Sequence, residues 1–152
     1  MVFSITLMNV LLGVGNESNG DDGIGVYVAR KFKHKDWIAI DCATVPENYI
    51  GKIIRYKPKK VVIIDAADMG LKPGEIRRIP KEKVGKASFS THSIPLSLFI
   101  SHLKELTGAD ITLIGIQPKS LYGKMSKEVK EAAEKVIEYI KEERIDEIEE
   151  IK

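Results

Sequence analysis

The sequence predicts an α/β protein, a three-layer sandwich whose twisted, mostly parallel five-stranded sheet has helices on both faces. Two observations support this prediction. Strand-like and helix-like segments alternate along the chain, as parallel strands joined by crossover helices require. Residues 61–64 form a run of four β-branched side chains with no polar interruption, which is typical of a central strand that is buried on both faces.

Length and composition limit the class of protein. With 152 residues, of which 43% are hydrophobic and 30% charged, the chain is expected to form one globular domain over residues 1–152. The net charge of +2 is too small to indicate nucleic acid or an anionic membrane as a partner. A single cysteine, Cys42, excludes an internal disulfide and favours the reducing cytoplasm. No apolar run reaches membrane-spanning length, so membrane insertion is not expected.

The first strand and the turn after it are the centre of the predicted structure. Residues 5–14 predict a buried strand, a glycine-rich turn follows, and residues 23–32 have the spacing of a helix. Asp21 and Asp22 lie where this helix begins. We expect Asp21 to be the capping carboxylate, which leaves Asp22 in the loop where open α/β sheets bind their ligands. Because paired aspartates would repel a pyrophosphate, this turn is not expected to bind a dinucleotide.

The rest of the chain continues the alternation of strands and helices. Strands are predicted at Trp37–Asp41, 61–64, 75–79 and 111–116, and the third of these is polar and short, as edge strands are. Helices are predicted from Pro46 until Pro58 ends the first, from Pro95 to Gly108, and after Ser126, whose side chain is expected to cap the last one. The mostly charged tail from Lys141 onward is expected to fray.

Three ionisable side chains are predicted to meet at one edge of the sheet. Asp22 follows the first strand, Asp65 ends the β-branched strand, and His92 precedes the helix that begins near Pro95. The carboxyl ends of parallel strands share an edge, so the two aspartates can converge, whereas His92 requires its loop to fold back over that edge. Two carboxylates and an imidazole suit a divalent transition metal. Alternatively, Asp65 and His92 are local capping groups, and the spacing alone leaves both interpretations open.

Five segments, in order along the chain, resemble the nickel-iron hydrogenase maturation endopeptidases. The resemblance is strongest to the branch that processes the large subunits of energy-converting or formate-hydrogenlyase-type hydrogenases. It extends from the first strand to the last helix. The segments are residues 13–25 with their glycines and paired aspartates, 64–70, 72–76, 91–96 and 115–118.

The resemblance implies a function and a set of site residues. In that family, the peptidase removes a short C-terminal extension from the hydrogenase large-subunit precursor after nickel has been inserted, and it recognises that nickel. The resemblance implies that Asp22, Asp65 and His92 are both the metal-contacting and the catalytic residues. Nickel is then carried by the substrate, no tightly bound organic cofactor is expected, and the protein is expected to be a cytoplasmic monomer. Residues expected to contact the substrate are Gly15, Asn16, Asp21, Asp41, Thr44 and Thr91.

One departure from the family pattern and two alternative functions accompany this hypothesis. Family members often have Asp-Gly-Gly after the second strand, where this chain has Asp41, Cys42 and Ala43. No residue is identified as a nucleophile, so a water molecule is expected to attack. A non-catalytic metal-binding maturation chaperone would use the same three residues, and a small-molecule hydrolase would use the aspartate pair. Cleavage of a nickel-loaded precursor separates the peptidase from the chaperone.

Overall fold

One five-stranded sheet forms the middle layer of the fold, in a computed structural model that describes residues 7–90 and 94–152. The sheet has the strand order β2-β1-β3-β5-β4, in which the first four strands are parallel and β4 runs antiparallel to β5. The predicted α/β class with a mostly parallel sheet is therefore confirmed. The strands are β1 (Asn9–Gly13), β2 (Trp37–Asp41), β3 (Lys60–Ala66), β4 (Ile76–Arg78) and β5 (Asp110–Ile116).

Helices cover both faces of this sheet, which confirms the three-layer arrangement. Helices α1 and α4 pack on one face and enclose a first core cluster, and α2 and α3 pack on the other face around a second cluster. No helix within residues 7–90 and 94–152 is both long and apolar enough to cross a membrane. The helices are α1 (Ile24–Lys31), α2 (Ile50–Arg55), α3 (Leu96–Thr107) and α4 (Lys127–Lys141), with 3-10 turns at Gly20–Gly23, Pro46–Tyr49, Lys81–Lys86 and Ile145–Glu147.

Strand β3 occupies the centre of the sheet because its β-branched residues fill both cores. It lies between β1 and β5, and successive side chains point to opposite faces. Val62 and Ile64 belong to the first cluster, and Val61 and Ile63 to the second. All four side chains are at most 1% exposed. Burial on both faces of the sheet therefore explains the uninterrupted apolar run, as the sequence predicted.

The predicted boundaries of α3 are confirmed, whereas only the boundary and not the cap of α4 is predicted correctly. Helix α3 follows Pro95 and ends at Gly108, whose φ of 67° is the left-handed conformation that glycine allows at low cost. Helix α4 begins after Ser126 as expected, but the Ser126 side chain makes no capping hydrogen bond. Its hydroxyl instead donates to the carboxylate of Asp21, at 2.8 Å. The predicted cap at Ser126 is therefore wrong in its chemistry, although the boundary is right.

The tail does not fray as predicted. The backbone N–H of Arg78 in β4 donates to the Glu149 carbonyl, and the N–H of Ile151 donates to the Arg78 carbonyl, both at 2.9 Å. Ile148 is buried in the first core cluster and Ile151 in the second. The charged composition of this segment suggested exposure, but its two isoleucines lie on opposite sides of the edge strand and anchor it there.

Candidate active site

The carboxyl edge of the sheet brings the turn after β1 next to the end of β3. The N–H of Val14, just after β1, donates to the Ile64 carbonyl at 2.9 Å, and Asp65 is the next residue along β3. The 3-10 turn Gly20–Gly23, which carries Asp22, packs against β3. Asp22 is 1% exposed and Asp65 is fully buried. The two predicted carboxylates therefore lie on adjacent elements at the same edge.

Within the part of the chain that the structure describes, Asp22 accepts hydrogen bonds from two neutral donors. Its Oδ2 accepts the backbone N–H of Asn16 at 3.2 Å, and its Oδ1 accepts the hydroxyl of Ser90. Neither donor carries a charge that would neutralise the carboxylate. Each oxygen of an ionised carboxylate can also accept a second interaction. These contacts orient the Asp22 carboxylate without placing a positively charged donor from the described residues on it.

Asp65 lies on the face of the sheet that α3 covers. Alternation along β3 places its side chain on the same side as Ile63 and Ala67, which belong to the second core cluster. Phe89, next to Ser90, packs against that cluster as well. The Ser90 segment and the Asp65 side chain therefore occupy the same face of the molecule.

His92 and Thr91 lie outside the described residues, but the segment before them lies at this edge. Ser88 pairs with Asp68, just beyond β3, through two backbone hydrogen bonds of 2.8 and 2.9 Å. On the other side, Ile94 packs against the second core cluster. Among residues 7–90 and 94–152, no group of three or more His, Cys, Asp or Glu side chains could hold a metal ion. The participation of His92 stays a prediction.

Asp21 does not cap the helix that follows it, so that prediction is wrong. Neither the turn Gly20–Gly23 nor α1 has a side-chain cap. The fully buried Asp21 carboxylate instead accepts the backbone N–H groups of Lys119, Ser120 and Ser126 and the Ser126 hydroxyl, at 2.6 to 3.1 Å. Burial alone would raise the pKa of Asp21, but these hydrogen bonds outweigh it and hold the pKa below its usual value. Asp21 fastens the loop before α4 to the site turn.

An open groove of about 310 Å³ lies beside the turn that carries Asp22. Four of the six residues expected to contact the substrate line it, on two loops that follow β1 and β2. Asp21 is not among the lining residues and is fully buried, so its position does not support a substrate contact. The groove is lined by Gly15, Asn16, Glu17, Ser18, Val26, Asp41, Ala43 and Thr44.

The backbone of this groove has a glycine-like conformation without the family's glycines. Ala43 has a φ of 48°, in the left-handed region that side chains rarely adopt. Its N–H donates to Asp41 Oδ1 at 2.9 Å, and its carbonyl accepts the N–H of Gly15 at 2.7 Å. Hydrogen bonds therefore keep Ala43 in the conformation that a glycine would adopt more easily. Ala43 thus adopts a left-handed backbone conformation at a position where family members often have glycine.

Two further side chains define the chemistry around the groove. The Arg30 guanidinium bonds Glu17 at 2.6 Å and Asp41 at 3.1 Å, and Glu17 first and Asp41 second raise the pKa of Arg30. Cys42 is buried, and burial raises the pKa of its thiol to about 12. A thiol with that pKa is protonated at neutral pH, so Cys42 does not supply a thiolate nucleophile.

Ser90 is the site residue that the sequence did not indicate. Its hydroxyl reaches Asp22 across 68 positions of the chain. In the sequence it stands only as a neighbour of His92 without a nucleophile motif. Its position two residues before His92, a candidate metal ligand, was the one indication in the sequence. That position does not identify Asp22 as the partner of Ser90.

The sheet has two buried carboxylates at the carboxyl ends of its strands and an open groove beside them. This arrangement is typical of α/β proteins that bind a ligand at the carboxyl ends of the strands. Comparison with known proteins gives the family. Residues 25–143 match the model of the HycI hydrogenase maturation protease family. The chain belongs to the [NiFe] hydrogenase maturation proteases and is a hydrolase of the endopeptidase class, which confirms the resemblance.

Relatives and solved structures agree over nearly the whole chain. The hydrogenase 3 maturation protease of Escherichia coli is 40% identical over 136 residues, which cover 86% of each chain. A crystal structure of a hydrogenase 3 maturation protease matches with a TM-score of 0.88 at 35% identity, covering 98% of this chain and 99% of that one. The [NiFe] hydrogenase maturation protease from Thermococcus kodakarensis is 41% identical with a TM-score of 0.79, covering 94% and 96%.

Proposed function

We propose that this protein removes the C-terminal extension of a nickel-iron hydrogenase large-subunit precursor and recognises the nickel already inserted there. Family membership supports the peptidase activity. The observation that supports nickel recognition is the pair of buried carboxylates, Asp22 and Asp65, on adjacent elements at the carboxyl edge. Carboxylate oxygens are suitable ligands for a divalent transition metal.

In this proposal the substrate brings the metal. Asp22, Asp65 and His92 bind open coordination positions of the nickel, and this contact sets the position of the precursor's C-terminal segment. The groove beside Asp22 holds the chain next to the scissile bond. A water molecule attacks the scissile carbonyl carbon, the C–N bond breaks, and the departing nitrogen takes up a proton. The monomeric state and the cytoplasmic location stay predictions.

The decisive experiment compares processing of purified precursor with and without nickel. We expect the wild-type protein to cleave only the nickel-loaded form, seen as a mobility shift on a denaturing gel. Asp22→Asn and Asp65→Asn are each expected to slow cleavage by about 100-fold or more, because metal contacts contribute several kcal/mol. Variants are compared at matched concentrations of folded protein.

The matched control is Asp36→Asn. Asp36 is an exposed aspartate just before β2, at the amino ends of the parallel strands and so opposite the candidate site. This variant removes the same charge far from the site and is expected to cleave at the wild-type rate. Equal cleavage of nickel-free precursor by the wild type would show that the metal is not what is recognised. Unimpaired cleavage by Asp22→Asn would remove that carboxylate from the mechanism.

A further inference from the structure

We infer that Ser90 is a positioning residue for Asp22, a role that rests on the function proposed above. The Ser90 hydroxyl donates to Asp22 Oδ1. An ionised carboxylate only accepts hydrogen bonds, so the hydroxyl is the donor in this pair. Asn16 N–H holds the other oxygen, and the two bonds together fix the plane of the carboxylate.

The chemistry of this donor matters as much as its position. A lysine or arginine at the same place would also orient Asp22, but its positive charge would compete with an incoming cation. A hydroxyl orients the carboxylate and leaves its full negative charge. Hydrogen-bonded partners of metal ligands act in this way, and their loss typically lowers metal affinity or activity by roughly 10–100-fold.

The backbone just before Ser90 is held by contacts other than this hydrogen bond. Two residues earlier, Ser88 forms a two-bond bridge with Asp68, which follows β3. Phe89 packs against the second core cluster. The segment thus runs from the end of β3 to the turn after β1 and connects the elements that carry Asp65 and Asp22. This course of the segment places Ser90 within hydrogen-bond reach of Asp22.

The test uses Ser90→Ala, Ser90→Thr and a matched control, Ser88→Ala. Ser88 is an exposed serine on the same segment, and the bonds described for it are backbone bonds that alanine keeps. Ser90→Ala is expected to lower cleavage of nickel-loaded precursor by roughly 10–100-fold. Ser90→Thr, which retains the hydroxyl, is expected to restore most of the rate, and Ser88→Ala to leave it unchanged.

A second readout needs no substrate. The Asn16 amide proton is bonded to the other oxygen of Asp22, so its NMR chemical shift reports the orientation of the carboxylate. This signal is expected to move in Ser90→Ala and to stay in place in Ser88→Ala. If the signal moves but the wild type never cleaves precursor, the positioning stands and the peptidase assignment fails. An unmoved signal, or full activity of Ser90→Ala beside an active wild type, overturns the inference.

Discussion

Two neighbouring aspartates in one short turn differ in their hydrogen bonds. The carboxylate of Asp21 accepts four hydrogen bonds from residues 119–126, whereas Asp22 accepts two from the residues that the structure describes. A residue with many internal donors stabilises structure, and one with few is free to bind a ligand. Among the described residues, Asp21 accepts four hydrogen bonds and Asp22 two, so the number of donors, which depends on the tertiary structure, distinguishes them.

Asp21→Asn is expected to lower the free energy of unfolding by about 2 to 3 kcal/mol at pH 7, because hydrogen bonds to an ionised group are lost. The pKa of Asp21 is lowered in the folded protein, so its stabilisation is complete above the unfolded value near 4 and is lost as pH falls through the lower folded pKa. The difference between wild type and variant should therefore shrink in acid.

Urea unfolding at pH 7 and at a series of acidic pH values measures this difference. Asp36→Asn, whose carboxylate is exposed, is the control and should differ little from wild type at any pH. A difference for Asp21→Asn that stays constant into acid would mean that shape, and not charge, accounts for the loss.

At the scale of elements, close packing of α1 on the sheet determines where the site turn lies. A Cβ added to Gly25 in α1 would lie 2.3 Å from the carbonyl oxygens of both Val14 and Ile64. Only glycine permits this approach. It brings the start of α1, and the turn carrying Asp22 just before it, against the ends of β1 and β3.

Gly25→Ala is expected to destabilise the protein, although alanine favours a helix over glycine by about 1 kcal/mol. The clash with two backbone carbonyls outweighs that preference, and displacement of the turn should also reduce precursor cleavage. Gly51→Ala in α2 is the control, because nothing lies within 4 Å of its added Cβ. Thermal unfolding should show a lower Tm for Gly25→Ala and an equal or higher Tm for Gly51→Ala. A Tm for Gly25→Ala at or above wild type would contradict this packing.

At the scale of the whole molecule, the C-terminal segment covers β4, the edge strand on the side of the sheet opposite β2. It bonds to Arg78 in β4, and its two isoleucines enter the two core clusters, one on each face. The segment thereby joins the two outer layers and shields an edge that would otherwise expose unpaired backbone groups. The candidate site is left at the carboxyl edge of the sheet.

Ile148→Ala and Ile151→Ala are each expected to lower the free energy of unfolding by about 2 kcal/mol or more, as buried isoleucines do when truncated. Glu150→Ala lies between them and removes only a surface ion pair with Lys83, so its effect should stay below about 1 kcal/mol. Chemical denaturation of the three variants tests this order. A tail that frays would give all three the same small effect.

The sequence by itself predicted the parts of the fold that depend on local patterns. The β-branched run at 61–64, the helix from Pro95 to Gly108 and the strand Trp37–Asp41 were recognisable because burial on a sheet and helix termination leave a periodic or single-residue signal. It also placed Asp22 and Asp65 at one edge, since parallel strands share their carboxyl ends.

Only the tertiary structure decided which partner each side chain has. Asp21 meets the backbone of Lys119 and Ser126 and Ser90 meets Asp22, in each case across more than 60 positions of the chain. Pairings of that kind leave no periodic trace in one sequence. The tail was mispredicted for the same reason, because the edge strand that binds Ile148 and Ile151 is distant in sequence. Local sequence patterns specify the helices and strands. Contacts between helices, strands and loops that are distant in sequence decide whether a side chain stabilises the fold or belongs to the candidate site.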